Sequence, residues 1–241
     1  MRRALAALVF VFVAVGQQII PLGLEGVIPS GLIETIERTM FIAERTRGAG
    51  IADVRDIGAS VRGTVAAGSV DYQLGLFNEM GESQNAVDQN DQKAVLGRLA
   101  IRIPGAASLQ IGGSGGFEGG PPAQHRERAG AEVQLKRSRI TLRSEVMTAR
   151  GGLARKLGYY ALGVVRPTPV VDIVARFDDW DPDLHLESGA ADAHERQIVA
   201  GANYYVDGGS TRVAANLVHA SFPSHRVAAS TLLLLSLQVL W

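Results

Sequence analysis

Basic side chains recur at alternate positions of several short segments, and this spacing places each set on one face of an extended chain. A row of such groups along a wall attracts anions, and the arginine fork matches phosphate or carboxylate oxygens. The basic candidates are Arg62, Arg98, Arg102, Lys136, Arg139, Arg143, Arg176 and Arg212. The same faces carry the acidic residues Asp56, Asp71, Glu132, Glu145 and Asp172. Two interpretations remain open: a channel wall that prefers anions, or a polar wall whose arginines pair with neighbouring acids.

No pattern in the sequence predicts catalysis. The five histidines show no Ser-His-Asp order and no metal-ligand spacing. His185 and His194 lie in an acidic stretch that we interpret as a solvated loop. The glycine run at residues 112–116 lacks the Lys-Ser/Thr ending of a phosphate-binding loop. We therefore predict no catalytic residue, no metal site and no cofactor, and an outer-membrane hydrolase is the least favoured class.

Composition restricts the protein class further. The 241 residues have a formal net charge of zero, which gives no bulk electrostatic reason to expect nucleic acid as a partner. Hydrophobic residues make up 46% of the chain, yet after residue 16 no apolar run is long enough for a membrane-spanning helix. Cysteine is absent, and the 28 glycines are spread along the chain. This distribution suits many short strands and tight turns.

From residue 54 to the end, apolar and polar residues alternate with a period of two. Eleven strands are predicted, at residues 56–65, 70–77, 95–103, 109–117, 129–136, 139–148, 157–165, 170–177, 197–205, 212–219 and 231–241. Long polar stretches at 78–92, 118–128 and 178–195 alternate with short turns such as 66–69 and 137–138. This asymmetry favours an up-and-down transmembrane β-barrel over a soluble β-sandwich.

The carboxyl-terminal strand supports the same class. Leu233, Leu235, Leu237 and Val239 form one apolar face, and the chain stops at Trp241. A terminal aromatic residue with alternate apolar residues suits a last strand that faces lipid and ends in an interfacial aromatic girdle. We predict that Trp241 belongs to a signal for barrel assembly. The alternative is an ordinary buried strand.

The amino-terminal residues have two interpretations. Arg2 and Arg3 precede an apolar run, and the small residues near Gly16 suit a signal peptidase, so residues 1–16 could be a signal peptide. Alternatively, residues 5–20 form a twelfth strand, which is the remnant of an upstream strand of the barrel. Both interpretations place the chain in the bacterial envelope.

Residues 17–53 form the segment between this region and the barrel strands of residues 54–241. Ser30 could cap a short helix at residues 31–43. The segment either folds into the barrel as a constriction loop or lies outside over its mouth. The predicted constriction residues are Arg38, Arg45 and Arg47.

Several motifs together resemble the phosphate-selective porin O and P family. They are Gly16-Gln17-Gln18 followed by Pro21, the stretch Glu37-Arg38-Thr39, Arg55-Asp56-Ile57-Gly58, and Tyr72-Gln73-Leu74-Gly75-Leu76-Phe77. The resemblance implies a sixteen-stranded barrel, a homotrimer and passage of phosphate. Only 15 residues precede Gly16, whereas family members carry several strands before this point. The chain therefore resembles a family member without its amino-terminal strands.

We accordingly predict an all-β, antiparallel up-and-down transmembrane barrel with about 12 strands in this chain. The expected function is passive diffusion of small hydrophilic solutes across the bacterial outer membrane, with a preference for anions such as phosphate. The expected partners are membrane lipid, small anionic solutes and the barrel-assembly machinery. A nonconducting structural barrel or a truncated porin remnant is the alternative.

Overall fold

The protein is described by a computed structural model. It describes residues 10–42, 51, 55–66, 68–80, 92–105, 107–121, 125–152, 154–185, 193–206, 209–223 and 227–239. These residues form twelve β-strands, one four-residue α-helix and one 3-10 turn. The class is therefore all-β, as the sequence predicts.

Eleven strands follow residue 54 and one precedes it, which confirms the predicted count. In chain order they are β1 (Phe10–Ile19), β2 (Arg55–Val65), β3 (Val70–Phe77), β4 (Ala94–Ile103), β5 (Ser108–Glu118), β6 (Arg126–Arg137), β7 (Ile140–Gly151), β8 (Ala154–Thr168), β9 (Val171–Asp181), β10 (Glu195–Val206), β11 (Thr211–Ser221) and β12 (Ser230–Val239). The helix α1 (Leu24–Val27) and the 3-10 turn (Ser30–Leu32) lie between β1 and β2.

Each strand pairs antiparallel with the next strand in the chain, and the sheet order is β1 to β12 without a crossover. Among the described residues no ladder joins β12 to β1. Every second connection is short, for example residues 66–69 and 138–139. The connections at the other end of the sheet are longer, except the tight one between β7 and β8. This is the asymmetry that the sequence predicts.

The two faces of the sheet differ in polarity. We call the face that contacts residues 20–42 the inner face, and the other the outer face. Large apolar side chains are exposed on the outer face, including Leu74 (60% exposed), Leu217 (50%) and Leu235 (74%). Charged side chains such as Arg176 and Asp178 are buried on the inner face. This distribution is the inverse of that in a water-soluble protein.

Two local predictions are wrong. No helix spans the described part of residues 31–43, because this stretch has a 3-10 turn at its start followed by bends and turns. The predicted loop at residues 178–195 is shorter, since β9 continues to Asp181 and β10 begins at Glu195.

At the amino terminus, residues 10–19 form β1, in accordance with the strand interpretation. Residues 1–9 lie outside the described part. None of the described helices is long and apolar enough to cross a membrane.

Candidate functional site

Residues 20–42, which we call the inner segment, lie against the inner face of the sheet. The backbone N–H of Gly23 donates to Ser114 Oγ on β5, at 2.8 Å. Leu24 and Glu25 donate their backbone N–H groups to the two carboxylate oxygens of Glu145 on β7, at 3.0 and 3.2 Å. The sheet thus holds the start of the segment through its backbone, which satisfies polar groups that burial would otherwise leave unpaired.

Gly23 is the position where this attachment requires glycine. Its φ of 71° lies in the left-handed region, and a Cβ atom there would overlap Glu145 and approach Met147 Sδ to 3.2 Å. Any larger residue would therefore push the segment away from β7.

A buried charge cluster holds the middle of the inner segment. Arg176 Nε on β9 donates to Asp178 Oδ2 at 2.8 Å. Arg176 also donates to Thr35 Oγ1 at 2.6 Å and to the carbonyl of Glu37 at 2.8 Å. Thr39 Oγ1 donates to Asp178 Oδ1 at 2.5 Å. One guanidinium thus joins a wall carboxylate to the segment, and its bonds to Asp178 and Thr35 are buried.

Glu25 is the acidic member of the segment in this cluster. Its carboxylate accepts the backbone N–H of Thr39 at 2.6 Å and lies 4.0 Å from Arg176. Burial raises the pKa of the Glu25 carboxyl above its usual 4.5, although the Arg176 charge and the bond from Thr39 oppose the shift.

A second set of contacts fixes the segment to β7, β10 and β11. Glu34 forms two hydrogen bonds with Arg143, both of 2.9 Å, which is the bidentate geometry of a strong carboxylate–guanidinium pair. Asn203 Nδ2 donates to the carbonyl of Glu34 at 2.7 Å, and the backbone N–H of Ile36 donates to Asn216 Oδ1 at 2.7 Å. Arg212 donates to the carbonyl of Ile33.

Apolar packing anchors the end of the segment. The ring of Phe41 lies between Tyr160 and Trp180, with centroid distances of 6.0 and 6.3 Å. Gly158 on β8 leaves space for this ring, because a Cβ atom at that position would overlap Phe41. Ile42 belongs to the same buried cluster. The inner face at β7–β9 is therefore covered by a packed segment.

The inner face of β2–β4 is more open. Arg62, Gln73 and Arg98 are adjacent across these strands and help to line a cleft of about 360 Å³. Arg62 is exposed and, among the described residues, has no hydrogen bond or ion pair. Arg98 Nε donates to Glu132 at 3.0 Å, and Arg102 pairs with Asp71. One cation on this part of the wall is thus uncompensated by a direct contact.

The predicted wall residues fall into three groups. Arg62, Arg98, Arg102 and Lys136 lie on the inner face away from the inner segment. Arg143, Arg176 and Arg212 lie on the same face, but they bind the inner segment. Arg139 lies in the turn between β6 and β7, where it donates to the carbonyl of Pro167 at 3.0 Å.

The acidic residues predicted on this face have structural partners. Asp56 accepts the backbone N–H of Glu79 at 2.8 Å, and Asp172 binds Arg166 at 2.6 Å. Together with the pairs formed by Asp71 and Glu132, these contacts favour the interpretation that many charged residues of the wall pair with one another. Glu145 differs, because it binds backbone of the inner segment.

The predicted constriction residues are placed only in part. Arg38 lies within the inner segment and donates to the carbonyls of Glu25 and Ile28 and to Ser30 Oγ, so it braces the segment's own turn. Arg45, Arg47 and the terminal Trp241 lie outside the described residues. Their predicted roles stay predictions.

Sequence reasoning missed the polar residues that fix the inner segment. Ser114, Asn203 and Asn216 are uncharged and isolated in apolar strands. Their positions on the inner face follow from strand alternation, which is the one signal that could have singled them out. Their partners, 91 to 180 residues away in sequence, carry no such signal.

Within the described part of the chain, no group of three or more His, Asp or Glu side chains could hold a metal ion. His194 lies 2.8 Å from Asp179, which also binds Arg196 at 2.7 Å. This histidine thus takes part in a small polar network.

An up-and-down antiparallel sheet with an apolar outer face and a charged inner face defines the porin-type barrel class. Among solved structures, the chain is similar to the anion-selective porin from Comamonas acidovorans, with a TM-score of 0.59 and 16% sequence identity. The similarity covers 87% of this chain and 63% of that porin, so the chain spans less than two thirds of that protein's length. At 16% sequence identity, this similarity shows that the two proteins share a fold and nothing more.

No protein-family model and no curated protein matches the sequence. The narrower resemblance to the phosphate-selective porin O and P family is therefore not confirmed. The broader prediction of a porin fold is confirmed by the structural likeness.

Proposed function

We propose that this chain forms an outer-membrane channel through which small hydrophilic solutes diffuse passively, with a preference for anions. The observation that carries the proposal is the inverted polarity of the sheet. An outer face with exposed leucine, valine and isoleucine side chains fits the hydrocarbon of a bilayer, and a charged inner face fits water. A channel also accounts for this arrangement better than an enzyme does.

The fold likeness supports the same class of function. The solved relative is described as an anion-selective porin, and we extend that property to this chain as a proposal, since the chain spans only part of that protein. A homotrimer, passage of phosphate and recognition of the carboxyl-terminal strand by assembly machinery belong to the same proposal.

The preference for anions rests on the inner-face cations that have no carboxylate partner. Arg62 and Lys136 are exposed, and neither forms an ion pair with another described residue. Arg98, Arg102 and Arg143 are each neutralised by a carboxylate. A small number of free cations is enough to lower the energy of an anion in the water beside the wall.

Single-channel recording tests the proposal directly. Protein refolded into planar bilayers should give discrete conductance steps, and a salt gradient should give a reversal potential that favours anions. A reversal potential that favours cations would contradict the anion preference alone. Folded protein without any conductance would contradict the channel itself.

A nonconducting structural barrel is the second candidate, and the inner segment is the observation in its favour. The segment covers the inner face from β7 to β11 with buried aromatic residues and bound arginines. A barrel closed by such packing would stay silent in the same recordings. If the barrel is nonconducting, a variant without residues 24–40 should conduct while the wild type stays silent. If it is a channel, the wild type should conduct as well.

A further inference from the structure

The outer face carries an unusual pair of cations at the end of the sheet that has the longer connections. Arg150 on β7 and Arg155 on β8 are direct partners in the strand register, and Glu127 on β6 is the next partner of Arg150. All three side chains alternate with residues that point inward, so they lie on the face of exposed apolar residues. They line a cleft of about 260 Å³ together with Thr148 and Ala129.

Two positive charges here face one nearby carboxylate, that of Glu127, which attracts both arginines. Arg150 and Arg155 are exposed, and among the described residues neither side chain forms a hydrogen bond or a close ion pair. Glu127 Oε1 lies 2.8 Å from His125 Nε2, so one carboxylate oxygen is already engaged. Like charges directly opposite each other in a sheet are unfavourable. An anion that bridges both guanidinium groups would remove this repulsion.

The tight connection between β7 and β8 brings the pair close to the end of the sheet. The two strands end at Gly151 and begin again at Ala154, and Gly152 has a φ of 58° that suits this sharp turn. Arg150 and Arg155 therefore lie at the polar rim of the outer face.

The neighbouring outer positions identify the kind of anion. Thr148 and Leu157 are the next outer-face residues on β7 and β8 towards the centre of the sheet. The apolar face continues on β7 with Val146, which is 42% exposed. A ligand that binds the arginines through phosphate oxygens and covers these apolar residues must carry both charge and hydrocarbon. A membrane lipid with a phosphate headgroup has this composition.

We propose that Arg150 and Arg155 form a headgroup site for a lipid that carries a phosphomonoester. The site rests on the proposed membrane barrel, because only there does the outer face meet lipid. The phosphate accepts hydrogen bonds from both guanidinium groups, and the acyl chains lie along Val146 and the residues below it. The Thr148 hydroxyl takes no part, because it donates to the carbonyl of Lys156 at 3.1 Å. The site would fix lipid at one rim of the barrel.

Native mass spectrometry of the folded barrel in detergent tests the site, with phosphatidic acid as the probe and phosphatidylcholine as the neutral-headgroup comparison. Wild-type protein should retain phosphatidic acid in preference. R150Q/R155Q should weaken that retention by at least about tenfold, because each lost charge-assisted hydrogen bond is worth about that factor or more. R150K/R155K should retain an intermediate amount, since lysine keeps the charge and loses the fork.

R137Q is the matched control. Arg137 is also an exposed arginine on the outer face of β6, at the opposite end of the strand. Equal weakening in R137Q would show that general charge and not this site holds the lipid, and would overturn the proposal. Inorganic phosphate that displaces the lipid as effectively as phosphatidic acid does would also overturn it, because the site would then bind phosphate alone.

The test of the lipid site can fail or succeed independently of the test of the channel. Heat-modifiable migration on a gel checks that each variant is folded. Conducting wild-type protein that retains no phosphatidic acid contradicts only the lipid site, whereas a silent barrel that retains it contradicts only the channel.

Discussion

At the scale of single residues, the inner face uses arginine in two ways. Arg176 and Arg143 are buried and bind both the wall and the inner segment, while Arg62 is exposed and has no ion pair among the described residues. A buried guanidinium is tolerated only when carboxylates and carbonyls surround it, because the desolvation cost of the charge is otherwise too large. The same residue type thus gives attachment in one place and free charge in another.

Replacement of Arg176 by methionine tests this distinction. R176M leaves Asp178 and Glu25 buried without their cation, so the free energy of unfolding should fall by about 3–5 kcal/mol. R62M, an exposed arginine on the same face, should change it by less than about 0.5 kcal/mol. Urea titration of the folded barrel, followed by tryptophan fluorescence, measures both. Equal effects of the two variants would contradict the assigned roles.

Glu25 predicts a pH dependence of stability. Because burial raises its folded pKa above 4.5, the folded state binds this proton more tightly than the unfolded chain does. The resulting stabilisation is complete below pH 4.5 and is lost as the pH rises through the folded pKa. E25Q carries no such proton, so its stability should decline less than that of wild type over this range.

The measurement is a series of urea midpoints at increasing pH for both proteins. Curves for wild type and E25Q that run parallel would contradict the role of Glu25.

At the scale of elements, the strands were predictable and the inner segment was not. Strand alternation depends on local sequence, and Leu74, Leu76 and their neighbours show it without any knowledge of the fold. The error at residues 31–43 has a tertiary cause. The carbonyls of Ile33, Glu34 and Glu37 accept hydrogen bonds from wall residues, so the backbone is satisfied without a helix.

The end of β9 was mispredicted for a related reason. Asp178 and its acidic neighbours look like a solvated loop in sequence. Arg176 and Thr39 neutralise and bind Asp178, and Thr39 lies 139 residues away. No local sequence pattern can predict a contact between residues so far apart in the chain. For the same reason, the sequence left open whether the basic residues attract anions or pair with neighbouring acids.

A substitution at Gly158 tests how the inner segment packs against β8. G158A would place a Cβ atom within overlap of Phe41, whose Cδ1 would lie only 2.6 Å away, so the inner segment should shift from β8. We expect larger or noisier conductance steps and a loss of about 1–3 kcal/mol in stability. G163A, on the same strand, meets nothing closer than Leu142 Cδ2 at 3.7 Å and should behave as wild type. Similar traces for both variants would contradict the packing of Phe41.

At the scale of the whole molecule, the distribution of charge over the two faces determines what the sheet can do. The outer face is mainly apolar, apart from residues at its ends such as Arg150 and Arg137, and the inner face carries most of the buried charged groups, so the fold itself sets the solvent that each face suits. In the proposed channel, the free cations on the inner face would set the ion preference, which would then depend on the entire wall and on the segment that covers part of it.

Reversal of one charge on the open part of the wall should therefore alter the ion preference of the proposed channel. R62E replaces a free cation by an anion beside Gln73 and Arg98, so the reversal potential should move towards cation preference. R137E makes the same charge change on the outer face and should leave the potential unchanged. An equal shift in both variants would show that the inner face does not border the ion path.

The long reach of the inner segment constrains the order in which the protein assembles. Every strand pairs with its neighbour in the chain, so hairpins can join one after another with short loop closures. The inner segment lies near the start of the chain, yet its partners extend from Ser114 on β5 to Asn216 on β11. It cannot be fully seated before β11 is in place. Full seating of residues 20–42 therefore waits for β11, although the contacts with Ser114 on β5 and Glu145 on β7 can form as soon as those strands have paired.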